Sequence, residues 1–175
     1  MKSHLSLLVV LFFTFSLVSA QDKVAPNKPS VTLSDAPGYI TINEFTAGIG
    51  LGDVTPPLSK SFFGITTIHG YQINKTFLVG GGTGVSFYNG GTLVPLFADV
   101  RYRFAINKFT PYLFGDGGLL FGGGETRLFV NGGGGVRYTI DDRLGIHFGT
   151  GLWIQNGSTR DSFINFKLGV TFIPR

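Results

Sequence analysis

Near the end of the chain, Ile164, Phe166, Leu168, Val170 and Phe172 share one parity, while Phe163, Asn165, Lys167, Gly169 and Thr171 share the other. A repeat of two rather than 3.6 predicts an extended strand with one apolar face and one mixed face. The same alternation recurs upstream between stretches of turn chemistry. These breaks fall at Asp53 to Lys60, Asn74-Lys75, Asn89-Gly90-Gly91, Ile106 to Lys108, Gly122 to Glu125, Asp141-Asp142 and Asn156 to Arg160. Seven breaks divide the chain from Tyr39 onward into eight strands.

Phasing each strand by its apolar residues gives one continuous greasy face. It runs Phe45, Ala47, Ile49, Leu51; Phe63, Ile65; Phe77, Val79, Val85, Phe87; Leu96, Ala98, Val100, Tyr102, Phe104; Leu113, Leu119, Phe121; Leu128, Val130, Val136, Tyr138; Leu144, Ile146, Phe148, Leu152, Ile154; and then the Ile164 to Phe172 set. No Asp, Glu, Lys or Arg interrupts this face. Glu44, Asp99, Arg101, Arg103, Asp116, Arg137 and Lys167 all take the opposite parity. A soluble barrel would be apolar inside and polar outside, so the reverse order predicts that the apolar face meets lipid. Strands of about 12 residues, rising roughly 3.3 Å each and tilted about 40°, cover roughly 30 Å along a membrane normal. Breaks at 74–75, 106–108 and 141–142 are tight, whereas those at 53–60, 122–125 and 156–160 are generally longer; this asymmetry is that of periplasmic turns and outer loops. The prediction is an all-β, eight-stranded antiparallel up-and-down transmembrane β-barrel with both ends periplasmic.

Aromatics near the strand ends suit interfacial girdles. Tyr39, Tyr71, Phe77, Tyr102, Phe104, Phe109 and Tyr138 lie toward the tight turns, with Phe63, Phe87, Phe121 and Trp153 toward the longer loops.

The N-terminus fits export. Lys2 and His4 precede an apolar run from Leu5 to Val18 and then Val18-Ser19-Ala20, which reads as a signal peptide over residues 1–20, too short for an ordinary spanning helix. Residues 21–38 hold three prolines without periodicity and read as a flexible periplasmic leader, leaving residues 39–175 for the barrel domain. The chain has no cysteine, so hydrogen-bond closure, core packing or lipid must hold an exported fold together without disulfides. Its 27 glycines and 18 phenylalanines, with mean hydropathy +0.26, favour β structure with close contacts over helices. A formal charge of +4, mild and scattered, excludes a nucleic-acid-binding surface.

Several stretches resemble a known family: Ala36-Pro37-Gly38-Tyr39, Phe63-Gly64-Ile65-Thr66-Thr67-Ile68-His69-Gly70-Tyr71, Leu96-Phe97-Ala98-Asp99-Val100-Arg101-Tyr102-Arg103-Phe104 and the C-terminal strand. Over residues 36–173 the chain looks like the small outer-membrane β-barrel proteins, porin-family or OmpA/OmpX-like. That resemblance implies the outer membrane of a Gram-negative bacterium, with outer-membrane lipid and lipopolysaccharide as surroundings. It also implies periplasmic chaperones and the barrel-assembly machinery as partners during biogenesis, and a monomer as the working state. The machinery recognises a C-terminal strand ending in an aromatic; here Phe172 is followed by Ile173-Pro174-Arg175.

The interior charges are the main candidate site. Three carboxylates (Glu44, Asp99, Asp116) face four bases (Arg101, Arg103, Arg137, Lys167), with Asn131, Asn165 and His147 between them. An eight-strand barrel has no room for an open channel, so this set reads as a polar plug rather than an ion path. Lys60, Arg127 and Arg160 near the loop ends are candidate lipopolysaccharide contacts, since such groups pair with phosphate. Glycine runs at 80–84 and 132–135 lack the GxxxxGK[ST] pattern and read as strand segments leaving space for bulky neighbours. His69 and His147 both lie toward the tight turns, away from where a catalyst for outer-leaflet lipid needs its base. No catalytic, metal or cofactor site is therefore predicted. The expected role is a non-enzymatic barrel with a closed polar interior and an envelope-structural or surface-interaction role, with a narrow porin as runner-up and a lipid-modifying enzyme third.

Overall fold

A computed structural model describes residues 37–52, 60–104, 108–157 and 160–174. The expected signal segment and nearly all of the leader lie outside these residues, as do most of the 53–60 loop and parts of the 106–108 and 156–160 breaks.

Eight strands occupy the stretches between the breaks. They are β1 (Gly38–Gly50), β2 (Ser61–Gln72), β3 (Phe77–Tyr88), β4 (Gly91–Arg103), β5 (Phe109–Gly122), β6 (Glu125–Thr139), β7 (Leu144–Asn156) and β8 (Arg160–Phe172). Each pairs antiparallel with its sequence neighbours, and β8 closes on β1, so the sheet has no free edge. Closure satisfies the backbone groups of all eight strands internally, which a lipid environment requires.

The register determines which side chains meet inside. Stepping across the sheet from Ile40 leads through Gly70, Gly80, Asp99, Asp116, Asn131, Trp153 and Phe163, then back to β1 at Gly50. One circuit thus advances ten residues along β1. A stagger of that size on eight strands goes with a tilt of roughly 40°, and the interior is narrow enough for side chains to fill.

Alternation is strict on both faces. Phe45, Ile65, Leu96, Val100, Leu113, Leu128, Phe148 and Leu168 are exposed on the outer wall, while Thr46, Thr66, Phe97, Arg101, Phe114, Phe129, His147 and Lys167 are buried. Among the described strand residues, Arg160 at the start of β8 is the sole charged residue with outward parity. The outer wall is therefore apolar along nearly its whole height, as the sequence pattern predicts.

The turns are built from local hydrogen bonds. Asn74 Oδ1 accepts from the Thr76 and Phe77 amides at 2.9 Å each, and Asp141 Oδ1 accepts from the Arg143 and Leu144 amides at 2.8 and 2.7 Å. These side chains substitute for backbone partners in tight reversals. Between β5 and β6, Gly123 and Gly124 take φ of 65° and 84°, the left-handed pair that a tight hairpin with twist-matched strands demands.

The two backbone amides also hold the Asp141 carboxyl below its usual range. A depressed folded-state value means the carboxylate contributes at neutral pH and the contribution is lost as pH falls through that depressed value. Protection of the Arg143 and Leu144 amides, relative to their intrinsic exchange rates at each pH, is expected to be high at neutral pH, to fall on acidification, and to be low throughout in Asp141→Ala. Hydrogen exchange followed by NMR in micelles reads this, and equal protection in the variant would refute it.

Candidate functional site

The interior is stacked in layers along the barrel axis. Its middle layer is charged. Arg101 reaches across the barrel to donate from Nη2 to Glu44 Oε1 at 2.8 Å, and from Nε to Asp99 Oδ1 and Oδ2 at 3.0 and 3.1 Å. Lys167 Nζ lies 2.6 Å from Asp116 Oδ2 and 3.2 Å from Glu44 Oε2. Asn131 Nδ2 donates to the same Asp116 oxygen at 2.7 Å. Glu44 thus joins both cations, and His147 Nε2 also meets its Oε1 at 2.8 Å. Rings line the layer, with Lys167 Nζ 4.4 Å from the Phe114 ring centre and Arg101 Cζ 5.8 Å from that of Tyr112. Arg103 and Arg137 are equally buried but belong to strand segments nearer the tight turns.

The glycine runs make room for these groups. A Cβ at Gly133 would fall 2.7 Å from Phe114 Cζ, and one at Gly135 would fall 2.8 Å from Tyr112 Cζ. Both are closer than van der Waals contact allows, so the β6 glycines are the seats of the β5 rings.

Toward the loop end, the interior differs from the polar filling predicted. Phe62, Phe97, Phe129, Trp153 and Phe163 are buried together, with Phe129 and Trp153 stacked at 4.4 Å and 8°. Phe62 meets Trp153 at 5.5 Å and Phe163 at 5.3 Å. Trp153 is therefore not an interfacial anchor. It takes inward parity between outward Leu152 and Ile154, and it closes the barrel above the charges. Parity alone, applied to aromatics as strictly as to charges, identifies this layer.

Arg127 also departs from expectation. Its parity is inward, and the guanidinium is buried beside Glu125 and 3.6 Å from Asp161 Oδ2, so it cannot reach a lipid phosphate outside the wall. Lys60 and Arg160 are exposed at the loop end.

The histidines separate by parity. His69 sits on the outer wall, hydrogen-bonded to the Tyr39 hydroxyl and stacked on its ring. His147 is buried between Glu44 and the Thr171 hydroxyl, whose Oγ1 is 3.4 Å from Nδ1. This hydroxyl, imidazole and carboxylate series is the order of a nucleophilic triad. However, Thr171 is 2% exposed, and the adjoining cavity of about 20 Å³ has space for a single water-sized group rather than a substrate. Among the described residues, no group of three or more His, Asp or Glu is arranged to hold a metal ion.

No family model and no curated protein matches the chain. Solved structures do. Neisserial surface protein A is similar with a TM-score of 0.65 at 16% identity, over 78% of this chain and 98% of that one. Ail, the attachment invasion locus protein of Yersinia pestis, gives 0.49 at 13% identity over 78% and 99%. The N-terminal β-barrel domain of Pseudomonas aeruginosa OprF gives 0.46 at 15% identity over 78% and 100%. The closed antiparallel sheet of eight strands, apolar outside and charged within, together with its likeness to Neisserial surface protein A, gives this chain the fold of the small OmpA/OmpX-like transmembrane β-barrels.

Proposed function

We propose that this protein is a non-enzymatic integral barrel of a Gram-negative outer membrane, closed to ions, with an envelope-structural or surface-interaction role. The observation that carries the reading is the two-layer closure of the interior. An ion-paired layer around Glu44 and Arg101 lies below a packed ring layer around Trp153. A path for ions would have to break both.

The outer wall supports the location, because a band of Leu, Ile, Val and Phe around the whole barrel calls for an apolar cover, which lipid supplies on every side. The described turns at the loop end are short, with Asn89-Gly90 and Gly123-Gly124 as two of them, so contacts with other molecules fall to the segments beyond Gly50 and Asn156. Lys60 and Arg160, exposed there, are assigned to lipopolysaccharide phosphates. Insertion depends on the barrel-assembly machinery, and the working unit is a monomer.

Planar-bilayer recording tests the closed interior. The wild type is expected to show no stable conductance, and Arg101→Ala or Asp99→Ala alone is expected to leave the barrel closed, because the ring layer around Trp153 remains. Stable wild-type conductance that either substitution abolishes would instead make the charges an ion path.

A further inference from the structure

We propose that the tight-turn end of the interior is a binding site for one small monovalent anion of halide size, held by Arg137 and Tyr112 with Arg103 beside them. A cavity of about 20 Å³ lies there, between the charged layer and the barrel end. Its polar lining is Arg101, Arg103, Arg137, Tyr112, His147 and Thr171, and no carboxylate contributes. Aliphatic side chains of β1 and β3 complete the wall.

The donors there outnumber the acceptors. Arg137 is 6% exposed, and its Nε and Nη2 have no hydrogen-bond partner in the protein. The Tyr112 hydroxyl is buried with no partner as well. A buried guanidinium edge without an acceptor is strongly unfavourable, so an acceptor from solution is called for. The guanidinium is held in place by its seat: a Cβ at Gly145 would fall 2.7 Å from Arg137 Nε, so it occupies the space that a side chain at 145 would fill.

Charge count and volume specify the guest. Below the ring layer, the interior carries Arg101, Arg103, Arg137 and Lys167 against Glu44, Asp99 and Asp116. All three carboxylates are already engaged by Arg101, Lys167 or Asn131. Among the described residues no carboxylate is left for the open edge of Arg137, and one monovalent anion matches that single cation. The space of about 20 Å³ suits a halide better than the larger phosphate or sulfate. Water fits by size but brings two protons to a lining made mainly of donors. A halide brings none.

Bromide is the probe. Crystals of the full chain soaked in sodium bromide are expected to show an anomalous peak within hydrogen-bond distance of Arg137 and Tyr112. Bromide titrated at constant ionic strength is expected to raise the unfolding temperature of the micellar protein with saturation, followed through Trp153 fluorescence. Arg137→Gln should shift half-saturation at least tenfold, and Tyr112→Phe should shift it less. Should Arg137→Gln fail to fold, as read by loss of the heat-dependent gel shift, Tyr112→Phe and the anomalous peak still decide. A cavity holding water only in bromide, or identical titrations for the wild type and the folded variants, would overturn the proposal.

Discussion

Replacing Arg101 with methionine is expected to lower the unfolding free energy by about 3–5 kcal/mol, the scale of leaving buried charges uncompensated. Arg101 bridges Glu44 and Asp99 across the barrel, and the Asp99 side chain is fully buried. Without the guanidinium, Lys167 must serve Glu44 and Asp116 together, while Asp99 keeps a buried negative charge beside Asp116, its partner in the register. Denaturant unfolding in lipid vesicles reads the loss through Trp153, the chain's one tryptophan, which lies in the layer above. Glu125→Gln is the comparison and should cost less, since its carboxyl is 32% exposed and Arg127 keeps Asp161 Oδ2 at 3.6 Å. Adding Asp99→Leu to Arg101→Met should recover part of the loss, because removing both partners eliminates the stranded charge. An Arg101→Met protein as stable as the wild type would mean that the layer contributes nothing to closure.

Much of this layer was legible in the sequence, and the reason is geometric. Side-chain direction in a strand depends on parity alone, so the alternation of Asp99, Arg101 and Arg103 with Ala98, Val100 and Tyr102 assigns all six to faces without knowledge of the partner strands. Turn chemistry at Asn74, Gly123 and Asp141 likewise acts within a few residues and marks the strand ends. Pairings between charges were not legible. Arg101 meets Glu44 across 57 residues because ten residues of stagger bring β1 and β4 to matching heights, and that stagger depends on every hairpin at once. Trp153 and Arg127 depart from expectation for a simpler reason. Residue type, an aromatic near a strand end and a base near a loop, points to the rim, yet in a closed barrel parity prevails because the wall leaves no third direction. The ring layer follows from the same rule, and so the polar interior expected from composition gives way to one that is charged in the middle and aromatic above.

The outer wall offers the sharpest test of location, at two neighbouring positions on β8. Leu168 is 59% exposed beside Phe45 and Phe148, near the middle of its strand, while Lys167 points inward. In a bilayer, Leu168→Arg puts a charge at the apolar midplane and should cost about 2–4 kcal/mol. Phe172→Arg, at the end of the strand, should cost under about 1 kcal/mol, because the penalty falls with distance from the midplane. In water, an exposed leucine changed to arginine shifts stability by no more than about 0.5 kcal/mol, with no dependence on depth. Unfolding of both variants in vesicles separates the cases. A steep gradient from Leu168 to Phe172 requires lipid around the wall, and a flat response near zero would require water, in which case the continuous apolar face from Phe45 round to Phe172 would need a protein partner to cover it.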